Sequence, residues 1–114
     1  MLKIDSSSVV LASQMEGKAD LLMVKAYKEK QDNTARIDCL KRAAVCYNES
    51  YSTYQKASMR MFAKAVKNKS HDALEAVKFE NDHNGCENPK LKEFIGKLIS
   101  SKEFRARLGI TSHR

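Results

Sequence analysis

The residues best suited to chemistry lie in one short stretch, His83-Asn84-Gly85-Cys86-Glu87, where an imidazole and a thiol stand three positions apart. A structural zinc ion takes four ligands, commonly from paired Cys or His residues, and a single His-x-x-Cys supplies two of them. A catalytic thiol would need His83 or His71 to lower its pKa. The alternative is an ordinary polar loop in which Asn84-Gly85 makes the turn. A small enzyme or metal-binding protein that uses His83 and Cys86 is therefore only our third hypothesis, and we predict no catalytic residue, no metal and no cofactor.

The three cysteines indicate a compartment rather than a reaction. Cys39 and Cys46 lie two turns apart on one predicted helix, too far along its axis to be bridged, and Cys86 leaves the total odd. This usage is typical of a reduced, intracellular protein. No apolar run reaches the roughly 18 to 20 residues that cross a bilayer, and the N-terminal residues make a poor secretion signal. We predict a cytoplasmic protein without a transmembrane segment.

Positive charge is the strongest bias in the composition. The formal net charge is +7, and residues 33–70 carry eight basic groups against two acidic ones, while residues 90–114 carry seven against two. Basic groups with few acids among them can neutralise phosphates, which gives an affinity that falls with salt. Nucleic-acid binding is therefore the second hypothesis. Its candidate phosphate contacts are Arg36, Lys41, Arg42, Lys56, Arg60, Lys64, Lys67, Lys97, Lys102, Arg105 and Arg107.

One uninterrupted amphipathic pattern runs through the middle of the chain and predicts the element around which the others pack. Apolar side chains recur there at alternating steps of three and four, and neither Gly nor Pro interrupts them. A single helix over residues 34–68 would be about 50 Å long at a rise of about 1.5 Å per residue. Tyr47, Tyr51 and Tyr54 share its apolar stripe, so we expect all three to pack in the core, with base stacking as the alternative.

Shorter patterns on either side complete an all-α prediction. A first helix should pack antiparallel to the central helix, because the connection around Asp32 is short. Asn88-Pro89 begins another helix, with Asn as the N-cap and Pro in the first turn. The chain of residues 1–114 is thus expected to form one helical domain, a bundle built on a long hairpin. Besides the central helix we predict a first helix over residues 8–30, two or three shorter C-terminal helices over 71–80, 89–100 and 101–108, and a mobile tail over 109–114.

The central helix is predicted to be longer than its first neighbour. A helix of about 50 Å overhangs one of about 35 Å, and apolar side chains on the overhang must be covered by the C-terminal segments, by a bend in the helix, or by a second molecule. Met suits adaptable binding surfaces. The leading hypothesis is therefore a small, non-enzymatic interaction or regulatory protein that binds a protein partner, or a second copy as a homodimer. Its predicted partner-binding residues are Met59, Met61, Phe62 and Val66.

Overall fold

The structure is a computed structural model that describes residues 6–83 and 86–107, without the side chains of Glu103 and Arg107. Its described part is helical and contains no strand, so the predicted all-α class is confirmed. The predicted mobile tail over residues 109–114 lies outside the described residues. The five helices are α1 (Ser6–Lys28), α2 (Asn33–Lys56), α3 (Arg60–Asp82), α4 (Pro89–Ser100) and α5 (Lys102–Arg107).

The single central helix predicted over residues 34–68 is wrong, because the chain reverses within it. Helix α2 ends at Lys56 and α3 begins at Arg60, and a three-residue turn joins them. The predicted long hairpin of two helices is therefore a set of three long helices of similar length. The apolar overhang of a 50 Å helix does not exist, and its residues belong to the start of α3.

The turn between α2 and α3 is a Schellman motif built without glycine. The amide of Met59 donates to the carbonyl of Tyr54 at 2.9 Å, and the amide of Ser58 donates to the carbonyl of Gln55 at 3.0 Å. This pair of bonds requires a left-handed residue after the helix end, and Ser58 takes that conformation with φ 63°. Because Gly usually fills the position, the sequence carries no recognisable stop signal there.

A Ser58→Gly variant is expected to be more stable than the wild type by about 1 kcal/mol. The left-handed conformation costs an ordinary residue about 1 to 2 kcal/mol, and part of that gain is offset by the greater freedom of Gly in the unfolded chain. Urea unfolding measures the difference. The control is Ser52→Gly in the exposed middle of α2, which should lose about 0.5 to 1 kcal/mol. Equal losses at both sites would contradict the assigned turn.

Helix α3 continues without a break through residues 67–70, where we predicted one helix to end at 68 and the next to begin at 71, and so includes the whole of the helix predicted over 71–80. Tertiary contacts explain why these polar residues remain helical. The Ser70 hydroxyl donates to the carbonyl of Ala44 on α2 at 3.3 Å, and Lys69 forms ion pairs with α1. A serine that resembles the cap of a new helix therefore bonds a neighbouring helix instead.

The other boundaries follow the sequence more closely. Helix α4 has the predicted bounds, and Asn88 caps it by accepting the amide of Leu91 at 3.1 Å. The predicted break before the last helix is also confirmed, with Ser101 accepting the amide of Phe104 at 3.3 Å. Helix α1 begins and ends two residues earlier than the predicted range 8–30.

The helices assemble with α2 as the central layer. Helix α2 packs against both α1 and α3. Helix α4 also packs against α1 and α3, at the end of the bundle where Asn88 lies. Tyr47 and Tyr54 lie in the core, as predicted. Tyr51 is half-buried and packs against the edge of the core, and the Lys67 ammonium lies 4.7 Å from the centre of its ring. The buried residues from all five helices form one continuous core.

Candidate functional site

An open groove of about 480 Å³ lies between α1 and α3, and we call it the α1–α3 groove. Helix α1 forms one wall, α3 forms the other, Tyr54 of α2 contributes from the middle layer, and Ser101 lies at the groove as well. Its lining residues are Val9, Ser13, Glu16, Tyr54, Met61, Phe62, Ala65, Lys69 and Ser101.

The groove exists because α4 is shorter than the helices it packs against. Helix α4 has 12 residues, whereas α1 and α3 have 23 each. It packs against α1 and α3 and ends at Ser100, and α5 follows it and contacts α1, so α4 does not cover the whole length of the two longer helices. From Lys69 to Met61 the uncovered length of α3 is about 12 Å, at about 1.5 Å per residue. The α1–α3 groove is therefore about two helical turns long.

The start of α3, which forms one wall of the groove, is apolar and exposed. Met61 is 84% exposed and Phe62 is 52% exposed, although Phe62 also packs edge-on against Tyr54 with ring centroids 5.5 Å apart. These are two of the four predicted partner-binding residues. Met59 is partly buried against the core, and Val66 is 1% exposed within it. Val66 is thus a core residue that contacts the neighbouring helices, because it falls on the inner face of α3.

The inner end of the groove is closed by a polar cluster that links α1 to α3. The Lys69 ammonium lies 2.7 Å from a carboxylate oxygen of Glu16 and 3.2 Å from one of Asp20. Asp20 is completely buried and also accepts a hydrogen bond from the Tyr47 hydroxyl of α2. Three helices therefore meet at one carboxylate. Sequence reasoning missed this cluster, since its members on different helices are 22 to 53 positions apart and Asp20 lies on an otherwise ordinary helix.

Burial raises the pKa of Asp20 above its ordinary value of 3.8. The loss of hydration on burial is the largest cause and disfavours the charged form, and the negative charge of Glu16 acts in the same direction. The Lys69 charge and the Tyr47 hydrogen bond oppose the shift. Burial outweighs them, so the folded state holds its proton on Asp20 to a higher pH than the unfolded chain does.

The stability that Asp20 contributes is expected to fall as pH rises from about 3.8 through its raised folded-state pKa. In that pH range the folded state binds more protons than the unfolded state. The free energy of unfolding therefore decreases as the pH rises. The measurement is the unfolding free energy of the wild type relative to Asp20→Asn between about pH 3.5 and 8, a range that spans the usual carboxyl values and those raised by burial. Glu49→Gln, an exposed carboxyl of α2, is the control. If the wild type instead became more stable relative to Asp20→Asn as the pH rises, the predicted direction of the pH dependence would be wrong.

A second buried cluster holds the other end of the bundle and accounts for Arg36. The Arg36 guanidinium lies 3.0 Å from both carboxylate oxygens of Glu80, and its Nε donates to the carbonyl of Glu29 at 2.9 Å. Asn33 and Asn88 donate to the same carboxylate at 3.1 Å and 2.8 Å. Arg36 is 8% exposed. In this structure its hydrogen bonds are directed inwards, so it joins α2 to α3 and the other predicted phosphate contacts are the more accessible candidates.

The other predicted phosphate contacts do not gather on one face. Lys41 and Arg42 lie beside a shallow groove between α1 and α2, whereas Arg60, Lys64 and Lys67 share the exposed face of α3 by helical spacing. Lys56 is exposed at the end of α2. Near the C-terminus Lys97 and Lys102 are exposed, Arg105 is partly exposed, and the side chain of Arg107 lies outside the described part.

The His83 to Cys86 stretch forms the connection between α3 and α4. The ring of His83 stacks on Phe79, with centroids 4.3 Å apart, and Cys86 is exposed. Residues 84 and 85 lie outside the described range. Within residues 6–83 and 86–107, no three His, Cys, Asp or Glu side chains are placed to hold a metal ion together. His83 therefore acts in the structure as an aromatic partner of Phe79.

Two findings concern the chain as a whole. In the described part, no helix has both the length and the apolar character that crossing a membrane requires. Comparisons of the chain with protein-family models, curated proteins and solved structures found no match.

Proposed function

We propose that this chain is a small interaction protein that binds an amphipathic helix of a protein partner in the α1–α3 groove. The carrying observation is that the groove lies between α1 and α3 next to Ser101, just after the end of α4, with Met61 and Phe62 exposed along it. The surface between α1 and α3 already accepts one amphipathic helix, α4 itself. A partner helix of about two turns matches the uncovered length of about 12 Å at about 1.5 Å per residue.

Charge favours a partner helix with acidic flanks. Every charged residue between Arg60 and His71 on α3 is basic, and α5 begins with Lys102 next to Ser101 of the groove. On α1, the part that lines the groove carries a single acid, Glu16, which is held by Lys69. An apolar stripe bordered by Asp or Glu would therefore complement both the walls and the surroundings.

We also propose a reduced, cytoplasmic location for the chain. The free thiols of Cys39, Cys46 and Cys86 are in keeping with it.

The test is selection from a display library of amphipathic helical peptides with acidic or basic flanks. We expect acid-flanked peptides to be enriched and to bind the purified chain saturably. A Met61→Ser/Phe62→Ser variant should weaken binding about tenfold or more, as buried anchors do. Ala65→Arg, which fills the groove from an exposed position on α3, should act likewise.

The matched control is Leu74→Ser/Ile99→Ser, which removes two side chains that are 52% and 55% exposed outside the groove. It should bind as the wild type does. The proposal fails if no helical peptide is enriched, or if the enriched peptides bind the Met61→Ser/Phe62→Ser variant unchanged.

Two further measurements distinguish self-association and nucleic-acid binding from the proposed function: the mass in solution and the salt dependence of binding. Light scattering after nuclease treatment reports whether the chain forms a dimer. If the second copy occupies the groove, Met61→Ser/Phe62→Ser should return the chain to a monomer. The exposed Arg60, Lys64 and Lys67 favour nucleic acid as the second candidate function. Binding to phosphates would weaken steeply between low and high salt, whereas apolar helix docking would change little.

A further inference from the structure

A second groove lies between α1 and α2, and we call it the α1–α2 groove. It has a volume of about 320 Å³ and is lined by Lys18, Leu22, Lys41, Arg42, Val45 and Cys46. By helical spacing, Lys18 and Leu22 fall on the opposite side of α1 from Val9 and Glu16, which line the α1–α3 groove. The two grooves are therefore separate surfaces, and a ligand of the α1–α2 groove is independent of any partner in the α1–α3 groove.

The floor of the α1–α2 groove is apolar and accessible. Val45 of α2 is 58% exposed, and Leu22 and Cys46 are half-buried beside it. A volume of about 320 Å³ lies at the lower end of the range of about 300 to 1,000 Å³ found for small-molecule sites. The surface thus offers a short apolar track rather than a site for a whole domain.

Three cations border this track. Lys18 and Lys41 lie at its edge, and no ion pair within the described part of the chain engages either of them. Arg42 pairs with Asp38 at 3.0 Å, but both side chains are more than half exposed, at 69% and 58%. A pair of that kind contributes little and exchanges readily with a competing anion. The groove therefore presents positive charge on both of its helices.

We propose that the α1–α2 groove binds an amphiphilic carboxylate, a medium-chain fatty acid, as a monomer. The carboxylate contacts Lys41 and Arg42, and the acyl chain lies along Leu22 and Val45. The apolar floor favours the chain, and the cationic border favours the anionic headgroup over a neutral or cationic one. Binding needs no change in the helices, because every lining residue already lies at the surface or half-buried next to it.

The test is an NMR titration of the full chain with decanoate, decanol and decylammonium, which share an apolar chain and differ in headgroup. Decanoate is expected to cause saturable amide shifts confined to the lining residues, and its dissociation constant should be at least about tenfold lower than those of the other two. Equal shifts from decanol would overturn the proposal. So would shifts located in the α1–α3 groove, or binding to anionic vesicles without binding to monomeric decanoate.

Matched charge variants separate this site from the general basicity of the chain. Lys41→Gln/Arg42→Gln should raise the dissociation constant for decanoate about tenfold or more, and Val45→Asp should abolish the shifts. Lys64→Gln/Lys67→Gln removes the same charge from α3 and should leave the titration unchanged. An equal loss in both double variants would mean non-specific attraction and would overturn the proposal. All substituted positions are exposed, so the variants should fold, which circular dichroism verifies.

Discussion

Replacing Glu80 with Ala is expected to lower the free energy of unfolding by about 3 to 5 kcal/mol. The Glu80 side chain is completely buried and receives hydrogen bonds from Arg36, Asn33 and Asn88. Its removal leaves the guanidinium of Arg36 buried without a counter-charge, and leaves Asn33 and Asn88 each without one acceptor. Helices α2, α3 and the cap of α4 are all affected, because this carboxylate of α3 contacts side chains of α2 and of the α4 cap.

A double-mutant cycle distinguishes loss of the pair from loss of a single side chain. Arg36→Met/Glu80→Leu should recover most of the stability lost in Glu80→Ala, since a buried ion pair can be replaced by apolar residues at little cost. Arg42→Ala, which breaks the exposed pair with Asp38, is the control and should cost less than about 1 kcal/mol. A double variant that is no more stable than Glu80→Ala would show that the cost does not come from an unpaired charge.

The second large effect is expected at the other face of the bundle, where Leu98→Ala should lower the free energy of unfolding by about 2 to 5 kcal/mol. Leu98 is 3% exposed in the core on the inner face of α4. Its truncation removes apolar contact and leaves a cavity, and both effects reduce stability. Denaturant unfolding of the purified variant measures the change.

The adjacent residue provides the control. Ile99 follows Leu98 in the same helix but is 55% exposed, so Ile99→Ala should cost less than about 0.5 kcal/mol. If Leu98→Ala were as stable as Ile99→Ala, α4 would not be docked on α1 and α3. The α1–α3 groove would then lose its physical basis, since its shape depends on where α4 ends.

The sequence predicted the elements whose signals are local. Helix α4 was predicted with its observed bounds, because an Asn-Pro start and a clean apolar face both lie within the helix itself. The all-α class followed in the same way from spacing. The turn at Ser58 was missed because its left-handed residue is not glycine. The helix end predicted near residues 67–70 does not occur, because polar residues that resemble a helix end form tertiary contacts there. Lys69 pairs with α1, and Ser70 donates to α2.

The candidate site could be predicted only in part. The exposure of Met61 and Phe62 was expected, but for a different reason, since the sequence indicated an overhanging helix where the structure has a short α4. Asp20 and Arg36 could not be assigned from spacing, because their partners lie on other helices at separations of 27 to 49 positions. No local pattern distinguishes a charged residue that will be buried and paired from one that remains in solvent.

The short connections between the long helices also bear on how the chain folds. Residues 29–32 join α1 to α2 and residues 57–59 join α2 to α3, so each long helix packs first against its neighbour in sequence. Helical bundles with such local contacts fold in microseconds to milliseconds. The ion pair of Arg36 with Glu80 closes a much larger loop of 44 positions. A contact formed after the main barrier changes the unfolding rate more than the folding rate, so Glu80→Ala should unfold faster while folding at a nearly unchanged rate.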